Sequence, residues 1–198
     1  MIDSYFRSPY QKRIIHPLLK WNFLSRVSPA LLTLFGLLFG LLVPFFLAWH
    51  LSFFALIALI TSGFFDTLDG SLARSQKATS NRGAVFDIIA DRAVEWGVIL
   101  GLYFYDPSRS LLCLLMIGSI LLCITSFLVV GMFQENTSEK SFHYSPGLME
   151  RAEAFIFFSL MILLPQFFTV LAILFVALVL LTAILRTYQF KSHQNSGE

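Results

Sequence analysis

Four aspartates, Asp66, Asp69, Asp87 and Asp91, fall inside the stretch FDTLDGSLARSQKATSNRGAVFDIIADRAVEW, while the chain around them is mostly Leu, Phe, Ile, Val and Ala. Their spacing is helical. At 100° per residue, Asp66, Asp69, Gly70, Ala73 and Arg74 share one stripe, and Gly83, Asp87 and Asp91 recur every four residues along another. The two stripes are joined by a short polar linker, SQKATSNR, so the helices carrying them are antiparallel neighbours. Four carboxylates then converge across one gap.

Such a cluster is costly in lipid. One Asp at the centre of a bilayer helix costs about 2.5–3.5 kcal/mol, and four would cost on the order of 10 kcal/mol. Position near the helix ends reduces that cost, but mutual repulsion still needs relief. Two Mg²⁺ or Mn²⁺ ions would bring four positive charges to four negative ones, and carboxylate oxygens suit hard cations. Zn²⁺ would be expected to use Cys or His, and none lies in the cluster. Paired hard cations with open positions point to phosphoryl-type transfer. Gly70, Ala73 and Gly83 leave room for a ligand to approach the backbone, or serve close helix packing instead. Arg74 is placed to clamp a diphosphate, or to snorkel at a helix end.

The elements that carry these residues are set by composition. The 198 residues are 57% hydrophobic and 13% charged, with mean hydropathy +0.74. An ordinary soluble domain carries about 25% charged residues. The chain is therefore expected to be an all-α integral membrane protein, since its apolar runs are too long for barrel strands. Six windows of the length needed to cross a bilayer lie at 28–49, 51–72, 84–105, 110–133, 148–165 and 167–187, the last two divided only by Pro165-Gln166. All but one of the 14 Lys and Arg residues fall on the side shared by both termini, the exception being Arg109. This places both termini and the aspartates on the cytoplasmic side of a cell (inner) membrane.

Three regions follow: a juxtamembrane segment 1–27, a six-helix catalytic domain 28–187 and a cytoplasmic tail 188–198. The first 27 residues mix Arg7, Lys12, Arg13, Lys20 and Arg26 with aromatic and aliphatic residues. They are too polar for a cleavable signal and are expected to form an N-terminal interfacial amphipathic helix. Cys113 and Cys123 sit on one helix, beyond disulfide reach. The four histidines are scattered outside the apolar interior, and the net charge of +2 gives no support to a nucleic-acid partner.

The complete pattern, Asp66-x2-Asp69-Gly70-x2-Ala73-Arg74-x8-Gly83-x3-Asp87-x3-Asp91, resembles the signature of the CDP-alcohol phosphotransferases, every specified position being present. The resemblance implies a six-helix enzyme, usually a homodimer, that takes a CDP-linked lipid such as CDP-diacylglycerol. A polar alcohol or sugar-phosphate acceptor attacks the lipid-bearing phosphorus, and CMP leaves. It implies metal ligation by Asp66, Asp69 and Asp87, with Asp91 as the acceptor's base near or on the second metal. Asp69, Gly70, Ala73, Arg74 and Gly83 would hold the cytidine diphosphate.

The segment SPGLMERAEAF and the wording DIIADRAVEW resemble the phosphatidylinositol-phosphate synthase branch, so inositol phosphate is the expected acceptor, with glycerol phosphate as the alternative. Lys140, Arg151 and Arg186 are the candidates for its phosphate. Glu95, one turn beyond Asp91, is either a cavity group or an ion-pair partner for a cation such as Arg151. The entry Ser28-Pro29-Ala30-Leu31-Leu32-Thr33 departs from relatives, which often have Asn after Pro. An ion or metal transporter is the rival from another class. It would spread acids through the bilayer depth, whereas the first, fourth and sixth windows have none. Intramembrane prenyltransferases, with two separated aspartate-rich segments and more helices, are a further rival.

Overall fold

A computed structural model describes residues 15–19, 27–76, 80–133 and 148–195. Among these residues the chain is helical, with no strand. A four-residue helix α1 (His16–Leu19) precedes α2 (Pro29–Ala48), α3 (Ser52–Ser75), α4 (Asn81–Tyr105), α5 (Ser110–Phe133), α6 (Arg151–Leu163) and α7 (Phe168–Asn195). Short 3₁₀ turns, Pro107–Arg109 and Pro165–Phe167, link α4 to α5 and α6 to α7. The expected break at Pro165 is thus a tight turn.

Local sequence explains the helix ends. Pro29 occupies the first turn of α2, where its missing N–H costs nothing. Ser80 caps α4 by accepting a hydrogen bond from the Gly83 amide at 3.1 Å. Glu150 and Glu153 form a reciprocal capping box at the start of α6. Between α2 and α3, His50 adopts φ 56°, a left-handed turn more often given to Gly. Its ring meets Tyr105 edge-on with centroids 4.7 Å apart.

Helix α2 packs closely against both α3 and α4, and α5 pairs with α7, while α6 bridges α3 and α7. Small residues permit the first of these contacts. A Cβ on Gly101 of α4 would stand 2.8 Å from the Pro44 Cα of α2, nearer than real Cβ atoms come. Leu59, Val98, Met116, Phe158 and Phe175 are fully buried in the shared core. Outward, Phe53 is 69% exposed, Leu114 65% and Met132 75%. An apolar exterior of this extent is suited to lipid rather than water.

Four segments are long and apolar enough to cross a membrane: Pro29–Ala48, Ser52–Ser75, Pro107–Phe133 and Pro165–Lys191. This makes the chain a membrane protein. Helix α4 has the length but carries Arg82, Asp87, Asp91, Arg92 and Glu95, and α6 has only 13 residues, about 20 Å of helix. The fifth window, read as 148–165, therefore contracts to Arg151–Leu163, because the cap at Glu150 starts the helix late and Pro165 ends it. Of the expected interfacial segment 1–27, α1, Ile15 and Val27 fall within the described residues. Ile15 is buried against Leu32, Leu68 and Leu72.

At the end of the bundle away from the aspartates, Arg109 fastens two turns. Its Nη2 donates to the Pro165 carbonyl at 3.1 Å, its Nε lies 3.3 Å from Asp106, and its guanidinium stacks over Phe168 at 4.3 Å. Asp106 accepts from the Ser108 hydroxyl and amide, which hold its carboxyl below the ordinary value.

Candidate active site

The helices bring the aspartates together as their spacing requires. Asp66 and Asp69 come from the last three turns of α3, Asp87 and Asp91 from the first three of α4. One carboxylate oxygen from each of Asp66, Asp69 and Asp87 lies within 4.8 Å of the others. Asp69 is 4% exposed, and Oδ1 of Asp87 is buried without any hydrogen-bond donor. A buried carboxylate oxygen lacking a donor is costly unless a cation answers it. Three hard oxygen ligands on two rigid helices fit a divalent ion of the Mg²⁺ class.

Asp91, expected among the ligands, is not part of that trio. Its carboxylate pairs with Arg151 Nη1 from the first residue of α6, and the same nitrogen reaches Asp66. Arg151, expected to grip an acceptor phosphate, is thus engaged with two of the aspartates. Its guanidinium also lies 5.5 Å from the Phe155 ring. A small pocket opens here, lined by Thr33, Gly36, Asp66, Asp69, Asp91 and Arg151, among others.

The glycines separate into two groups. Gly36 and Gly40 of α2 face α3 and α4 so closely that an added Cβ would crowd Ser62 or Val94; these serve packing. A Cβ on Gly70 would meet only the Arg74 guanidinium, at 3.5 Å, and one on Gly83 only the Ser80 hydroxyl, at 3.3 Å. Among the described residues neither supports a helix crossing. Toward the described residues the backbones of both are uncovered. Ala73 is half-buried and Arg74 exposed, with its Nη2 donating to Ser71 at 3.2 Å.

Of the two roles expected for Glu95 the ion pair is present, and its cation is Arg92, at 2.7 Å and one turn earlier on α4. Arg186 does not line the pocket. It donates to the Cys123 carbonyl at 3.2 Å and lies over Phe127 at 5.2 Å, because α7 packs on α5. Lys140 lies outside the described residues, as does His143. Cys113 and Cys123 are free thiols.

The site also contains groups that sequence reasoning passed over. Thr33 of α2 donates to Asp69 Oδ2 at 2.5 Å, and Ser62 donates to the Gly36 carbonyl at 2.7 Å. The available signal was the sequence Thr33, Gly36, Gly40, a small and polar stripe on an otherwise greasy helix. At the base of α6, Thr182 of α7 is fully buried and accepts from the Met149 amide at 2.9 Å.

Known proteins resemble the chain in sequence and in fold. The chain is 28% identical over 166 residues to phosphatidylinositol phosphate synthase of Corynebacterium glutamicum, spanning 79% of this chain and 71% of that one. It is 29% identical to inner membrane protein YnjF of Escherichia coli, over 95% of this chain and 94% of the relative. The fold matches that of Mycobacterium tuberculosis phosphatidylinositol phosphate synthase, solved with CDP-DAG bound, at TM-score 0.73 and 18% identity, covering 90% and 94% of the two chains. Residues 26–185 match the sequence profile of the CDP-alcohol phosphatidyltransferases, and with most of its length inside that match the chain belongs to this family of enzymes, which transfer substituted phosphate groups.

Proposed function

We propose that the chain transfers the phosphatidyl group of CDP-diacylglycerol to a hydroxyl of inositol phosphate and releases CMP, at a site opening to the cytoplasm. The observation that carries the metal-dependent site is the trio Asp66, Asp69 and Asp87 with its donor-less buried oxygen. Asp66, Asp69, Asp87 and Asp91 would hold two ions, Mg²⁺ or Mn²⁺. Bound there, the cations would neutralise the diphosphate and the charge developing on the transferred phosphoryl group.

The chain's own groups supply the rest. The open backbones at Gly70 and Gly83, with Asp69, Ala73 and Arg74, bind and orient the cytidine diphosphate. The acceptor oxygen forms a bond to the lipid-bearing phosphorus as the bond to CMP breaks, and its proton passes to the Asp91 carboxylate. Arg151 lies beside both Asp66 and Asp91, within reach of an acceptor phosphate. Lys140 and Arg186 are the further candidates, and Arg186 would first have to leave α5. The relatives named phosphatidylinositol phosphate synthase favour inositol phosphate as acceptor.

The architecture supports six membrane crossings in a catalytic domain 28–187, with segment 1–27 at the inner interface and tail 188–198 in the cytoplasm. The family resemblance supports a homodimer. The test is CMP release from purified protein given CDP-diacylglycerol and Mg²⁺ or Mn²⁺. Inositol phosphate, glycerol phosphate, serine and free inositol are compared as acceptors. Release stimulated by inositol phosphate and lost in Asp66→Asn is expected. Stimulation by glycerol phosphate instead would transfer the acceptor assignment, and failure of the folded protein to bind donor or metal would sink the reading.

A further inference from the structure

We infer that Thr33 is a positioning residue for the metal site, its hydroxyl holding the Asp69 carboxylate in place for the cation; this rests on the proposed ligation by Asp69. A threonine hydroxyl carries one proton. On a helix it ordinarily donates to the carbonyl four residues back, as Thr61, Thr67, Thr182 and Thr187 do, at 2.7, 2.9, 2.8 and 2.6 Å. Thr33 has that same acceptor, the Pro29 carbonyl, at 3.2 Å, but the Asp69 carboxylate is nearer at 2.5 Å. One proton cannot serve both. The shorter contact, to the stronger acceptor, takes it.

The contact is deliberate in its setting. Thr33 is 9% exposed and Asp69 4%, so water does not compete for the bond. The two residues stand on different helices, and the close α2–α3 approach at Gly36 and Gly40 fixes their separation. Asp66 has Arg151 to orient it, whereas the Asp69 carboxylate accepts from the Thr33 hydroxyl. Hydrogen bonds to ligating carboxylates fix their orientation, and losing one weakens metal affinity about 10–100-fold.

The test is Mn²⁺ titration of the purified full chain, followed by electron paramagnetic resonance, on wild type, Thr33→Ser, Thr33→Val, Asp69→Asn and the Val/Asn double variant. Thermal midpoints are recorded in parallel. Thr33→Ser is expected to bind like wild type. Thr33→Val, isosteric but without the hydroxyl, is expected to bind at least about 10-fold more weakly and to add nothing further in the Asp69→Asn background. Wild-type affinity in Thr33→Val, equal losses in Ser and Val, or losses that multiply in the double variant would each overturn the inference. If Thr33→Val does not fold, Thr33→Ala replaces it; unfolding of both, with Thr33→Ser folded, makes Thr33 a packing residue and overturns the inference too. Wild-type protein that binds no Mn²⁺ would defeat the metal-site reading itself, and this inference with it. An unchanged Thr33→Val beside an Asp69-dependent wild type would defeat only the inference.

Discussion

Arg151 is the residue on which the site's charge balance turns. One guanidinium nitrogen serves Asp66 and Asp91, and the carboxylates are 21% and 15% exposed against 26% for the arginine. Removing one partner from a buried ion pair costs about 3–5 kcal/mol, and partial exposure reduces that to about 1–3 kcal/mol. Arg151→Gln is therefore expected to lower the thermal midpoint by several degrees without divalent metal, and millimolar Mg²⁺ should recover much of the loss. Differential scanning fluorimetry across a Mg²⁺ series checks this. A loss indifferent to Mg²⁺ would mean that Arg151 stabilises through packing on Phe155 rather than through charge. Asp87→Asn should behave in the opposite sense. It removes a charge from the trio and should stabilise the metal-free protein while weakening Mn²⁺ binding, by about 10-fold or more.

At the scale of elements, the short α6 places Arg151, and its start is set by groups outside the helix. The Glu150–Glu153 capping box satisfies the first turn, and Thr182 of α7 accepts the Met149 amide in a fully buried position. Thr182→Val keeps the volume and leaves that amide without a partner, a penalty of about 1–3 kcal/mol. The variant is expected to melt several degrees lower, with the Arg151-dependent Mg²⁺ response weakened as the helix start loosens. If its Mg²⁺ response matched wild type, α6 would be held by its own capping box. This dependence was invisible in hydropathy. The window 148–165 announced a helix, but not that its first residue would stand at the depth of the aspartates. The aspartate stripes were legible because spacing of three and four along one helix is a local property. The Thr33–Asp69 bond joins residues 36 apart in sequence and depends on how closely α2 and α3 approach. Arg186 was read from its place at a helix end, which says nothing of the helix face it occupies. That face is fixed by the packing of α7 on α5.

For the whole molecule, α6 supplies the argument about depth. It runs from Arg151, beside Asp66 and Asp91, to the turn at Pro165 that Arg109 holds at the other end. From Asp91 to the end of α4 at Tyr105, and from Asp66 back to the start of α3 at Ser52, the helices also extend about 20 Å. Three helices thus cover the same distance between the site and the far turns. Beyond the site, α3 continues to Ser75, and α4 begins ten residues before Asp91, at Asn81. The carboxylates therefore lie below the ends of α3 and α4, beside the pocket lined by Thr33, Gly36, Asp66, Asp69, Asp91 and Arg151, among others. The proposed orientation rests on charge: among the described Lys and Arg residues only Arg109 lies at the far end, where it is tied by Asp106 and Pro165. In a background with Cys113 and Cys123 replaced by Ala, Ser110→Cys is therefore expected to react with a membrane-impermeant maleimide in intact cells. Lys191→Cys should react only after the membrane is opened. The reverse pattern would place the carboxylates on the outer face, away from a cytoplasmic supply of nucleotide-activated lipid. Labelling of both in intact cells would mean that the two ends share a side, contrary to an odd number of crossings between residues 110 and 191.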